Sequence, residues 1–287
     1  RCDNCDFSFV NPMPSLDTLD YFYKNIYSSK ERPPYWATED YEDQKVHYLE
    51  DKNLSYLLYL TTLIDFKKIK TIFDFGCSNG DLGYALKIKF SQLDLFCSES
   101  DLHCEKILKE RGYKNFKNLN NINQKFDLII ATHALEHITD INYIFNKFND
   151  LLNLNGYIFF EVPNCPKEYW NGRPYDGLHL MYYTKKSFEK LAEIHGFDFI
   201  NFSFSAHSFE NDRNYQIEDL KSVQNNFSFY KLKRLIKKLL PKKIVRDLKD
   251  FKKGKKTRDK AKLDWFANNT GDNCYIRGIL KKSLDKI

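Results

Sequence analysis

The chain has 287 residues, 42% of them hydrophobic and 29% charged, with a formal net charge of +6. That supplies enough apolar material for one sizeable core, and no run approaches the roughly 18–20 consecutive apolar residues of a membrane-spanning helix. Between residues 231 and 260 there are fifteen Lys or Arg against three Asp, so the basic character belongs to one late segment and the rest of the chain is net acidic. Seven cysteines, odd in number and mostly isolated, argue against a disulfide framework and for a reducing, cytoplasmic setting.

Residues 1–14 form a leader with Cys2 and Cys5 in a C-x-x-C pair, followed by Phe7, Phe9 and Val10. Such a pair before a short strand is half of a zinc ribbon, and the chain contains no second pair to complete it. Ser15 stands as N-cap of an aromatic-rich helix over 16–27. A long amphipathic pattern covers 40–66, so that 15–66 reads as an N-terminal helical segment.

From residue 71 strand and helix patterns alternate. Strands are expected over 71–75, 94–98, 115–118, 126–131 and 156–162, and helices over 81–90, 102–111 and 140–152. This alternation implies a parallel sheet covered by helices on both faces, with ligands at the carboxyl ends of its strands. A helix over 184–195 ends at Gly196 and leads into a strand over 197–205. A final strand is expected over 273–281. The core is therefore 67–205 joined to 273–287, and 206–272 is an insertion, helical and basic, that could act as a lid.

The central stretch runs Ile72-Phe73-Asp74-Phe75-Gly76-Cys77-Ser78-Asn79-Gly80. It reads as strand, tight turn and helix start, where glycine lets backbone approach a ligand and helix N–H groups can receive an anionic end. Its spacing matches neither the dinucleotide fingerprint G-x-G-x-x-G nor a P-loop, and an ordinary strand-to-helix turn has the same form. Glu99 closes the second strand, where an acid can accept both hydroxyls of a ribose. A glycine turn followed by such an acid implies a nucleoside ligand, more plausibly S-adenosylmethionine than NAD.

These residues carry a resemblance. The 72–80 stretch resembles the first motif of class I S-adenosylmethionine-dependent methyltransferases. Residues 126–130 with Ala134-Leu135-Glu136-His137 resemble their fourth-strand motif, and 156–164 resembles their fifth strand. His179-Leu180-Met181-Tyr182-Tyr183-Thr184 is similar to the closing segment of enzymes that methylate small metabolites, sugars and quinone precursors. The leader is similar to that of bacterial sugar and surface-polysaccharide methyltransferases.

The resemblance implies a doubly wound, Rossmann-like α/β fold of seven strands in the order 3-2-1-4-5-7-6, the last antiparallel. It implies S-adenosyl-L-methionine as cofactor, with S-adenosyl-L-homocysteine as product. Asp74, Gly76, Cys77 and Gly80 would cradle its methionine end, Glu99 its ribose, and Ala131 and Thr132 its sulfonium. Ser78 stands where glycine is more usual. The expected reaction is methyl transfer to a small-molecule or glycan acceptor, with O-transfer to a sugar or polysaccharide precursor leading. C- or N-transfer to a metabolite or RNA, and a non-catalytic scaffold of polysaccharide assembly, are the rivals.

A hydroxyl acceptor benefits from a base, and histidine suits neutral pH. His179 is the first candidate and His133 the second, while His195 is expected to complement a helix C-terminus. Arg173, Tyr182 and Asn164 are the candidate substrate contacts, Arg173 for an acidic or phosphorylated group. His133, Glu136 and His137 share one face at i, i+3 and i+4 and could ligate a metal, where quinone-pathway enzymes of this fold use two acids and a histidine. Cys2 and Cys5 are the candidates for zinc. The 231–260 run could meet an anionic membrane surface, which would make the protein peripheral to the inner membrane, or a phosphorylated substrate. It lacks the interleaved aromatics of single-strand nucleic-acid binders.

Overall fold

The computed structural model describes residues 1–27, 51–167, 179–205, 267–268 and 275–283. In chain order these form β1 (Ser8–Phe9), α1 (Leu16–Phe22) with a π-turn over Tyr23–Tyr27, and α2 (Asp51–Leu63). The alternating part comprises β2 (Thr71–Phe75), α3 (Asp81–Lys89), β3 (Asp94–Ser98), α4 (Glu105–Glu110), β4 (Tyr113–Asn115), β5 (Phe126–Thr132), α5 (Ile141–Leu151) and β6 (Leu152–Pro163). It is followed by β7 (Met181–Tyr182), α6 (Lys185–His195), β8 (Phe197–Ser205), β9 (Ala267–Asn268) and β10 (Tyr275–Lys282).

The main sheet has eight strands in the order β4-β3-β2-β5-β6-β10-β8-β9. β2 to β6 are parallel, and β10 runs antiparallel between β6 and β8. Without the edge strand β9 this is the expected order, 3-2-1-4-5-7-6. The reversed β10 covers edges that β6 and β8 would otherwise expose.

Period-two alternation divides the strands between two cores. Ile72, Leu95, Leu128, Ile130 and Phe159 face one side with Tyr56, Leu57 and Leu60 of α2. Phe73, Ile129, Ala131, Ile158 and Phe160 face the other with α5 and α6. α5 buries Ile141, Ile144, Phe145, Phe148 and Leu151, a helical i, i+3, i+4, i+7 stripe, and is capped by the Asp140 side chain. α6 opens on a reciprocal capping box between Thr184 and Ser187 and stops at Gly196, which has φ +73°. No helix among the described residues is long and apolar enough to cross a membrane.

Four boundaries differ from the sequence reading. β4 lies at 113–115 instead of 115–118, because the Asn118 side chain caps a 3₁₀ turn over Leu119–Asn121. β6 begins at Leu152, which pairs with Phe126, four residues before the expected Gly156. The helix over 102–111 starts as a 3₁₀ turn, Leu102–Cys104. The helix over 16–27 becomes α1 followed by a π-turn. In addition, Ala267–Asn268, inside the segment read as helical, forms β9 beside β8. The loop bearing Arg173, the first part of the 40–66 pattern and the basic run 231–260 lie outside the described residues.

One contact was not anticipated. β1 of the leader pairs antiparallel with β7, Ser8 opposite Tyr182 and Phe9 opposite Met181. Val10 N–H adds a bond of 3.0 Å to the Leu180 carbonyl. The leader is thereby tied to the segment that begins at His179.

Candidate active site at the carboxyl edge of the sheet

The turn after β2 is held in a conformation that side chains resist. Gly76, Ser78 and Gly80 have φ of +63°, +50° and +69°. A Cβ on Gly76 would stand 2.7 Å from Ala134 Cβ, and one on Gly80 would stand 2.5 Å from the Tyr113 ring. Ser78 adopts the same left-handed region without being glycine, which explains why glycine is the usual occupant. α3 starts directly after Gly80, so its first N–H groups face this turn.

Asp74 lies below the turn, 3% exposed. Burial pushes its pKa up to about 8, partly offset by the Tyr113 hydroxyl at 3.4 Å. The same hydroxyl donates to the Gly80 carbonyl at 2.9 Å. Burial also pushes the Cys77 thiol up, which keeps it protonated.

Glu99 sits beyond the end of β3, across the turn. Its carboxylate accepts from Ser78 N–H at 2.6 Å and Asp101 N–H at 2.8 Å. The Asn115 amide clamps its backbone, accepting from Glu99 N–H and donating to Glu99 O, both at 3.0 Å. Burial raises the Glu99 pKa against those backbone donors. Tyr23 of the π-turn is pushed up to about 12 by burial, then by the charges of Tyr27, Glu136 and Glu99.

The second half of the edge is built on His133, at φ +51°. Its N–H donates to the Glu161 carbonyl at 2.8 Å. Its ring is placed between two acids, Nε2 at 3.2 Å from Glu161 Oε1 and Nδ1 at 3.4 Å from Glu136 Oε1. Burial and Lys52 press the imidazole pKa down, but the two carboxylates outweigh both and hold it above its ordinary value. Burial pushes Glu136 up, and His133 outweighs that and holds it below the usual range.

Glu161 is fully buried, and four donors fill it. The Tyr56 hydroxyl and His133 meet Oε1, while Ser205 at 2.8 Å and Arg277 Nε at 2.7 Å meet Oε2. Arg277, also 0% exposed, reaches Ser55 Oγ at 2.9 Å.

His179 arrives from a separate segment. Leu180 N–H donates to the Glu136 carbonyl at 2.7 Å and the Tyr183 hydroxyl to the Leu135 carbonyl at 2.9 Å. His179 then stands against His137, ring centroids 5.0 Å apart at 65°. One ligand-type atom from each of Glu136, His137 and His179 lies within 4.8 Å of the other two.

The edge thus brings together Asp74, Gly76, Cys77, Gly80 and Glu99 in one half, and His133, Glu136, His137 and His179 in the other. Thr132 ends β5 between them, half-buried. Ala131 is fully buried in the core with α5 and α6, so its side chain does not line the edge. Tyr182 is 3% exposed and gives its hydroxyl to the His179 carbonyl at 3.0 Å, so it supports the His179 segment from beneath. Asn164 is buried in a bridge to Tyr183. Cys2 and Cys5 lie in the leader, outside this cluster. His195 does not complement the macrodipole. Its ring nitrogens lie 3.0 and 3.1 Å from Asn146 and Asn142 of α5, and burial lowers its pKa, disfavouring the charged form.

Tyr56, Tyr113, Asn115, Glu161 and Arg277 are structural partners of the site that the sequence reading passed over. For two of them a signal existed: Glu161 and Arg277 are lone charges inside apolar strand runs, and opposite charges in such runs invite pairing.

A methyltransferase domain matches residues 45–201, more than half of the chain. No curated protein matches it. Among solved structures, a SAM-dependent methyltransferase of Thermotoga maritima, a possible histamine N-methyltransferase, is similar with TM-score 0.50 and 12% identity, covering 84% of this chain and 94% of that one. A plantazolicin methyltransferase in complex with a triazolic desmethylPZN analogue and SAH has TM-score 0.49 and 14% identity, covering 84% of this chain and 90% of that one. An O-methyltransferase from a trans-AT PKS multienzyme of Brevibacillus brevis, in complex with S-adenosyl-L-homocysteine, has TM-score 0.47 and 15% identity, covering 99% and 84%.

The residues at the edge fit the donor of such a family. The glycine turn leaves backbone bare where a Cβ would collide, and backbone N–H groups of Ser78 and Asp101 hold the Glu99 carboxylate, an acceptor for ribose hydroxyls, across the turn. Asp74 and the turn would hold the amino-acid end and Glu99 the ribose. The chain belongs to the methyltransferase-domain family, and its cofactor is S-adenosyl-L-methionine.

Proposed function

We propose that the chain methylates a hydroxyl of a small polar acceptor, of the class of sugars, nucleotide-linked sugars and surface-polysaccharide precursors. The observation that carries the hydroxyl is the meeting of Glu136, His137 and His179 beside the cofactor turn. A hydroxyl is a weak nucleophile until its proton is drawn off, and imidazole–carboxylate clusters serve that need near neutral pH. The sugar class is supported by the resemblance of the leader and the closing segment, which the β1–β7 ladder joins next to His179.

S-adenosylmethionine supplies a methyl carbon on a sulfonium, so the leaving group needs little help. The protein's task is to align the acceptor and remove its proton. The acceptor oxygen forms the new C–O bond as the C–S bond breaks and its electron pair stays on sulfur. The hydroxyl proton is lost at the cluster and passes to water on its half-buried side. His133 has both ring nitrogens against carboxylates, so it positions Glu136 and leaves the proton to the His137–His179 side.

The test is transfer of labelled methyl from S-adenosylmethionine to a panel of sugars, nucleotide sugars, polysaccharide precursors and amines. Label is expected on a hydroxyl acceptor. His179→Ala is expected to lower turnover by about 10²–10⁴-fold while calorimetry shows unchanged cofactor affinity. Label on amines alone would sink the hydroxyl reading, and a wild-type rate in the variant would remove His179 from it.

A further inference from the structure

We infer that Glu136, His137 and His179 form a binding site for one divalent transition-metal ion, of which Zn²⁺ is the type, and that this ion takes the acceptor hydroxyl as a further ligand. The role rests on the proposed hydroxyl acceptor; the site itself does not.

The donor set comes first. Two imidazoles and one carboxylate are a recurrent set for catalytic zinc and for non-haem iron, and they leave positions open for an oxygen ligand. Imidazole disfavours magnesium, which takes oxygen donors. The three donor atoms lie within 4.8 Å of one another. Ligands of one ion at about 2.1 Å stand roughly 3–3.5 Å apart, so closure on the ion asks for a shift on the order of 1 Å, within reach of imidazole rotation.

The second observation is the state of Glu136. Its side chain is 1% exposed, yet neither carboxylate oxygen accepts a well-aligned hydrogen bond from a described residue. His133 Nδ1 at 3.4 Å is its ion-pair partner on one side. A buried carboxylate with unfilled acceptor capacity costs free energy unless a cation or donor completes it. Glu161, also fully buried, shows the contrast, with all four acceptor positions filled.

The third is rigidity. Glu136 and His137 lie on one 3₁₀ turn, and His179 is pinned to it by Leu180 N–H on the Glu136 carbonyl and by the Tyr183 hydroxyl on Leu135. His133, bound in turn to Glu161, fixes the carboxylate from behind, the outer-sphere arrangement that orients metal ligands. The set is not the one that i, i+3, i+4 spacing suggested. His133 is turned to Glu161, and the third donor comes from the closing segment. A bound hydroxyl is acidified by the ion, releases its proton to water, and presents its oxygen to the methyl carbon.

The test uses the whole chain with Cys2→Ser and Cys5→Ser, which removes the thiolate pair as a competing site. After chelator treatment the protein is titrated with Zn²⁺ by calorimetry and with Co²⁺ by visible absorption. One equivalent is expected to bind, with a ligand-field spectrum of mixed nitrogen and oxygen ligation. Glu136→Gln and His179→Ala are each expected to weaken Zn²⁺ binding beyond the roughly 10–100-fold of an outer-sphere partner. His179 is half-buried, so its variant keeps the test open should Glu136→Gln fail to fold. Absence of saturable binding, or binding indifferent to His179→Ala, overturns the site. Full hydroxyl methylation by metal-free protein overturns the ion's role and leaves the proposed function standing. Metal bound with no hydroxyl methylated leaves the site standing and removes that function.

Discussion

Glu161 and Arg277 face each other in register across β6 and β10, joined at 2.7 Å and both fully buried. Burial pushes the Glu161 carboxyl up, and Arg277 followed by His133 outweighs it and holds the group well below the carboxylate range. The pair links three parts of the chain. Arg277 reaches Ser55 and lies 5.0 Å from the Tyr56 ring on α2, while Glu161 holds His133 at the site.

Arg277→Met is expected to cost about 3–5 kcal/mol, because it leaves Glu161 as a buried charge without its cation. Urea denaturation measures it. Adding Glu161→Leu is expected to recover part of the loss, since removing both charges spares the uncompensated one. A double variant as unstable as the sum of both singles would show the pair to be independent.

Asp74 makes stability depend on pH. Its folded pKa is pushed up to about 8, whereas an unfolded Asp titrates near about 3.9. Between those values the folded state holds a proton that the unfolded state has released. Stability therefore falls as pH rises through that window, by at most about 1.4 kcal/mol per unit. Asp74→Asn is expected to flatten that slope. A cofactor ammonium held near Asp74 favours its charged form, so binding below about pH 8 should release a proton. Calorimetry in buffers of different ionisation enthalpy reads that release, and its persistence in Asp74→Asn would assign it elsewhere.

Gly80 and Gly112 separate strain from collision. Both have positive φ, +69° and +78°, but a Cβ meets Tyr113 at 2.5 Å and Leu108 at 2.9 Å in the first case and nothing within 4 Å in the second. Gly112→Ala is expected to cost about 1–2 kcal/mol of backbone strain. Gly80→Ala adds roughly 1–3 kcal/mol of overpacking and weakens cofactor binding by shifting the Tyr113 support. Equal losses in thermal denaturation would mean that the Tyr113 ring yields freely.

Local chemistry made much of the fold legible. Short apolar runs bounded by polar or glycine residues marked the strands, and Asp140, Thr184 and Gly196 marked helix ends, because caps and burial stripes are set by residues close in sequence. The errors fall where a local competitor was missed. Asn118 prefers its own turn to the β4 ladder, and Leu152 pairs with Phe126 before Gly156 is reached. Ala131, which the resemblance places at the sulfonium, has its side chain in the α5–α6 core.

By itself, the sequence determined the alternation of strands and helices, the glycine turn of 76–80 and the acid at 99, each written in a short stretch whose meaning is local, while the order of the strands came with the family resemblance. Only the tertiary structure decided which histidine meets which acid. His133 goes to Glu161 and His179 to Glu136 because β1, β7 and the turn at 135–137 bring distant segments into contact. Arg277 supports the site from the last strand for the same reason: a buried carboxylate takes its partner by nearness in space, and spacing along the chain carries no record of that.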